Sequence, residues 1–158
     1  MKRFILSALA AVAMIGAFLV PAQAAGVDVN ATPTGLAVRG YDVVAYFTEG
    51  KPVAGDWQIT AEHGGATYRF ASEANRDAFK ADPARYAPQF GGYCAFGAAM
   101  GFKFDGDPEV FKIVDDKLYL NLSRPVAERW NKDVPGHIKT ANEKWVQIKD
   151  KAPSDLQQ

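Results

Sequence analysis

Hydrophobic residues in this chain fall into short blocks with two different periods. Trp57, Ile59 and Ala61 alternate with polar neighbours, and so do Ala66, Tyr68 and Phe70 after two glycines. WQITAEHGGATYRFA therefore predicts a β-hairpin turning at Gly64-Gly65, with those residues on one face. VFKIVDDKLYLNL (110–122) repeats the pattern around Asp115-Asp116 and predicts a second hairpin. Between them, SEANRDAFKADPARYA has the composition of a helix. Ser72 stands at its N-cap, Asn75 where a capping-box acid would sit, and Ala74, Ala78 and Phe79 on the inner face, while Pro83 ends or restarts it. Before the first hairpin, GYDVVAYF (40–47) is an apolar cluster in which Asp42 can cap a short helical turn, and EGKPVAG is turn material. After the second, Ser123 and Pro125 open a helix through Trp130. A final helix over 134–149 places Ile138, Ala141, Trp145 and Ile148 at helical spacing. The sum is an α+β fold: a compact single domain over 40–150, with two small antiparallel hairpins and several packed helices. Residues 25–39 lack a period and are expected to be a flexible N-terminal arm; 151–158 are expected to be a disordered tail.

The N-terminus changes the setting. Lys2 and Arg3 precede an apolar run of 17 residues, Phe4 to Val20, which Pro21 breaks ahead of Ala22-Gln23-Ala24. That layout predicts a signal peptide over 1–24, and so a periplasmic or secreted protein with no stable membrane anchor after cleavage. Taking 24 residues from 158 leaves 134, enough for one domain with its own core. The whole chain has 18 basic and 18 acidic side chains, and loss of Lys2 and Arg3 leaves a small acidic excess. No basic run exceeds two residues, so nucleic acid is not an expected partner; a metal ion or a small molecule is. No phosphate loop, Ser/His/Asp order or calcium loop is present, and Asp105 and Asp107 in DGDPE lack the spacing of the last.

An exported chain meets oxidising conditions, yet this one has a single cysteine, Cys94, at the centre of FGGYCAFG (90–97). The thiol must be buried, bound to something, or reactive. A helix beginning at residue 95 would place it at an N-terminus, although Gly97 and Gly101 weaken that helix. Tyr41, Tyr68, Tyr93 and Phe96 are candidates to line a pocket around the glycine turn, with aromatic core as the simpler role.

HGGATYRFASEANRDAFKADPARYAPQFGGYCA resembles the YHS domain, in the form found in small exported proteins, some of them labelled selenoproteins. GYDVVAYF, the Tyr68-x-Phe70-x-Ser72 segment, Pro83-x-x-Tyr86, GGYCA, DDKLYLN and the Trp130-x-x-Asp133 segment carry the likeness, which spans about 40 to 150. The resemblance implies a metal role for the cysteine-bearing members, and a redox role where selenocysteine replaces the cysteine of GGYCA. This sequence departs from the metal type: Ala71 and, approximately, Asn75 stand where that type has cysteines. One Cys and two His (His63, His137) cannot readily close a four-ligand zinc site. Copper(I) needs fewer soft ligands, so Cys94 with Met100, and His63 next, form the candidate copper set. Three functions remain open: an exported soft-metal protein using Cys94, a thiol-dependent redox protein with Cys94 as the catalytic group, and a non-catalytic module for a small ligand or protein in which Cys94 is buried.

Overall fold

Residues 27–156 are described in a computed structural model of the chain. Asp42 begins the fold proper. Its Oδ1 accepts from the backbone N–H of Val44 (2.8 Å) and Ala45 (3.3 Å), capping the one-turn helix α1 (Ala45–Thr48). Antiparallel β1 (Asp56–His63) and β2 (Ala66–Phe70) follow, joined at Gly64-Gly65, both of which have positive φ. Ser72 caps α2 (Glu73–Ala81) by accepting from the Asn75 N–H at 3.1 Å. Pro83 does not continue that helix. Asp82 instead caps a new single turn, α3 (Pro83–Tyr86), with the proline in its first turn.

The glycine-rich segment forms a 3-10 turn (Gln89–Gly92) and then α4 (Ala95–Met100). The second hairpin pairs β3 (Asp107–Val114) with β4 (Lys117–Asn121), and its turn residues Asp115 and Asp116 both have positive φ. Helices α5 (Arg124–Trp130) and α6 (Val134–Ile148) close the domain. Ser123 occupies the cap position of α5 without a side-chain hydrogen bond. The result is the expected α+β architecture: two two-stranded antiparallel sheets packed with helices in one compact unit.

Strand β4 divides the interior. Successive side chains on a strand point to opposite faces. Leu118 and Leu120 enter a cluster with Val43, Val44, Tyr46, Tyr68, Phe70 and Phe79, whereas Tyr119 enters a second with Phe90, Ala98, Trp130 and Ala141. Asn121 shares the parity of Tyr119, which aims it at the segment bearing Cys94.

Four expectations need correction. Trp57 is 70% exposed, because the β1–β2 register shifts between Asp56 and Thr60 and takes it out of phase with Ala61. Ala74 is exposed, since the inner face of the nine-residue α2 is centred on Asn75, Ala78 and Phe79. The supposed arm is hydrogen-bonded into the domain: Ala37 and Val38 are buried, and Leu36 bridges to Thr67 alongside β2. The tail forms a further 3-10 turn (Pro153–Leu156). The signal peptide (1–24) lies outside the described residues.

The second carboxyl oxygen of Asp42 takes the Ala71 N–H (2.8 Å) and the Asn75 side-chain amide (2.7 Å), so one buried carboxylate joins α1, the end of β2 and α2. Asp42→Asn would present an amide N–H₂ to donors on one side or the other. Leaving such groups unpaired costs about 1–3 kcal/mol each, so denaturant unfolding should show a loss of roughly 2–4 kcal/mol. A change under about 0.5 kcal/mol, the range of ordinary surface substitutions, would contradict this role.

Candidate functional site

The turn at FGGYC is built to receive backbone. Gly91 has φ +61, and a Cβ there would collide with the Asp28 carbonyl. The segment at residues 27–31 therefore lies directly on the glycines: Asn30 N–H donates to Gly91 O (2.8 Å) and Asn30 Nδ2 to Gly92 O (3.2 Å). Tyr93 Oη donates to Val27 O at 3.1 Å. This N-terminal strap fills the space that an open glycine turn would otherwise offer a ligand.

Cys94 follows the turn and is 1% exposed. It is the N-cap of α4, its Sγ accepting from Gly97 N–H at 3.3 Å. On its other side Sγ lies 3.6 Å from Asn121 Oδ1, which also accepts from Phe96 N–H (3.2 Å) and is thereby held with its oxygen toward the sulfur. The sulfur consequently donates to that oxygen as a thiol, and a thiolate would face it unfavourably. Burial pushes the Cys94 thiol up; the N–H groups of Gly97, Leu122 and Phe96 pull it down without cancelling the rise. Burial and a raised pKa are the opposite of the exposed, electropositive setting that activates a thiol.

The candidate copper ligands do not converge. Met100 is the last residue of α4 and 59% exposed, six residues from Cys94. That separation is roughly 9 Å of helix rise and about a third of a turn out of phase, so the two sulfurs do not share an ion. His63 is exposed at the end of β1, its ring edge-on to Phe79 at 5.8 Å. Among the described residues no group of three or more His, Cys, Asp or Glu is placed to hold a metal ion. His137, at the start of α6, is committed to Trp130 O through Nδ1 at 2.9 Å.

Among the described residues the four proposed pocket residues are not gathered at the cleft seen here. Tyr41 Oη donates to Glu109 at 3.2 Å, Tyr93 is covered by the strap, and Phe96 stacks edge-on with His137. Tyr68 does line a cleft, of about 200 Å³, with His63, Asp28, Pro88, Trp145 and Lys149. Residues 44–90 of the chain match the family model described as the YHS domain. The chain carries a YHS domain. The match covers α1, the first hairpin, α2 and α3, and stops just before the glycines, so Cys94 lies outside it. No curated protein and no solved structure matches. The cleft thus sits where the YHS domain meets the strap and α6.

One residue of that junction carried no sequence signal. Lys103 is 1% exposed, and its Nζ donates to the carbonyls of Val27 (2.8 Å), Lys149 (2.6 Å) and Lys151 (2.7 Å). The ammonium also lies 5.2 Å from the Tyr93 ring and 5.1 Å from that of Trp145. Burial lowers its pKa, with Asp28 and Asp150 opposing. Three carbonyls and two ring faces replace its hydration. A lysine in FKFDG reads as a surface residue because its partners lie 46 to 76 positions away.

Gly91→Ala should lift the strap while leaving the two hairpins paired. Hydrogen exchange at Asn30 and Thr32 should then accelerate at least tenfold, with native protection in β4; unchanged exchange at Asn30 would refute the docking role of Gly91. The buried phenols set an alkaline limit. Burial raises Tyr68 to about 12, raises Tyr46 further still, and raises Tyr93. Below the ordinary tyrosine value of about 10 both folded and unfolded chains hold these protons. Above it only the unfolded chain releases them, so stability falls as pH rises from 10 towards 12, by about 1.4 kcal/mol per pH unit for each phenol withheld. Denaturant midpoints should decline across that window, and Tyr68→Phe should shallow the decline.

Proposed function

We propose that this chain is an exported, non-catalytic binding module that takes a small molecule in the cleft between its YHS domain and the N-terminal strap, with Cys94 a structural residue. The observation that carries this is the contrast between two places. At Cys94 the thiol is sealed and its hydrogen bonding is internal. At the cleft the side chains of Asp28, His63 and Lys149 make no hydrogen bond or ion pair with the described residues, and Tyr68 presents a phenol beside them. Side chains that are uncommitted and converge on a concave surface are what a small-ligand site requires. Export rests on the composition of residues 1–24, and none of the described helices is long and apolar enough to cross a membrane.

A thiol-redox role has one observation in its favour, the three backbone N–H groups gathered on the sulfur. Desolvation outweighs them, so that role would need an opened form of the segment around α4. The copper reading requires Cys94 to leave its cap position and Met100 to swing inward.

Alkylation of the native protein separates the three. Iodoacetamide should label Cys94 at least a hundredfold more slowly than in unfolded chain, whether or not Cu(I) is present. Fast labelling blocked by Cu(I) would support copper, and fast labelling indifferent to Cu(I) would support thiol chemistry. Either result removes the inert-thiol reading. Cys94→Ala should cost about 1–2 kcal/mol, as the loss of a helix cap and a small cavity do.

A further inference from the structure

The cleft has a composition that restricts what it can hold. This step rests on the binding-module reading. At about 200 Å³ it lies below the roughly 300–1,000 Å³ of sites for drug-sized ligands, which limits the occupant to about one substituted ring. Its lining joins the apolar Trp145 and Pro88 to the polar Asp28, His63 and Lys149.

Charge narrows the class further. Tyr68 is 2% exposed, and its hydroxyl has no hydrogen-bond partner among the described residues. That hydroxyl is nevertheless not sealed: among the described residues the one fully buried side-chain polar atom without a partner is Trp130 Nε1. The phenol therefore reaches solvent through the cleft that Tyr68 lines. It remains protonated at neutral pH, since burial and the Asp28 charge hold it to about 12. It can then donate to a ligand.

Asp28 lines the same cleft, so an anionic acceptor on this hydroxyl would face a like charge. Nor is a cation favoured, since Lys149 stands on the rim and the Lys103 ammonium lies 5.1 Å from the Trp145 ring. A neutral carbonyl satisfies both constraints. We infer that the cleft binds a small, uncharged, planar ring compound bearing a carboxamide- or lactam-type carbonyl, with the Tyr68 hydroxyl as the donor to that carbonyl and Trp145 and Pro88 as its apolar walls.

Three single-ring probes of different charge test this on the full folded chain: benzamide, benzoate and benzylamine, titrated at pH 7 and followed by amide chemical shifts. Benzamide should shift Gly64 and Gly91, with a dissociation constant on the order of 1 mM, as expected for about nine non-hydrogen atoms. Benzoate and benzylamine should bind at least threefold more weakly. Tyr68→Phe, which keeps the ring, should weaken benzamide roughly three- to tenfold, the worth of one hydrogen bond, with the rest of the spectrum unchanged. Equal or tighter binding of either charged probe, or an unaltered affinity in Tyr68→Phe, overturns the ligand class while leaving the cleft a binding site. No shift at Gly64 or Gly91 with any probe up to 20 mM, in protein whose spectrum is native, overturns the cleft itself.

Discussion

The carboxylate of Asp42 is the constraint on which the YHS segment depends. It is fully buried, and four N–H donors from three elements converge on its two oxygens. Burying a charge is costly unless its hydrogen bonds are complete, and here the chain supplies all of them from itself. The direction of β2, the start of α2 and the position of α1 follow from that convergence. The Val43, Val44 and Tyr46 side chains enter the first core because the turn before them is fixed in this way. Ala71 and Asn75, where the resemblance would place thiolates, both direct an N–H group at Asp42 Oδ2.

A second internal ion acts at the other end of the molecule. The Lys103 ammonium ties Val27 to Lys149 and Lys151, and so fastens the two ends of the described chain beside the glycine turn. Among the described residues no acidic side chain pairs with it; its compensation is three carbonyl dipoles and the negative faces of Tyr93 and Trp145. Val27 leads directly into Asp28 and Val29, and Lys149 ends α6, so this one contact sets the positions of the strap and helix walls of the cleft. The domain thus carries one buried anion that organises its YHS segment and one buried cation that closes the strap over it.

Much of this was legible where the cause is local. Alternation specified both hairpins, the paired glycines and paired aspartates specified their turns, and Asp42 and Ser72 announced their helix starts. What was not legible depended on contacts distant in sequence. The bulge that turns Trp57 outward arises from pairing between strands, and the strap's order arises from a groove made more than sixty residues later. The candidate copper ligands lie apart for a related reason. Cys94, Met100 and His63 were grouped by chemical type, whereas α4 separates the two sulfurs by phase and burial, and His63 sits at a hairpin end. Of the residues proposed for a pocket, Tyr68 lines one, and its partners there came from the N-terminal strap and α6, which no motif connects to it.

The glycine–cysteine segment shows why a conspicuous motif need not mark chemistry. Each residue in Gly91-Gly92-Tyr93-Cys94 is explained by a contact with another part of the chain. Gly91 admits the Asp28 carbonyl, Gly92 accepts from Asn30, Tyr93 donates to Val27 and Cys94 caps α4 against Asn121. All four contacts serve the docking of the strap or the start of α4. Cysteine suits the last position because a small, weakly donating side chain fits between the Gly97 N–H and the Asn121 amide oxygen. Serine would fill the same space with a stronger donor but a shorter reach, and alanine would leave Gly97 N–H without its cap. The uncommitted side chains stand instead at the edge of the strap, where Asp28, His63, Tyr68 and Lys149 surround a space that the chain itself does not fill.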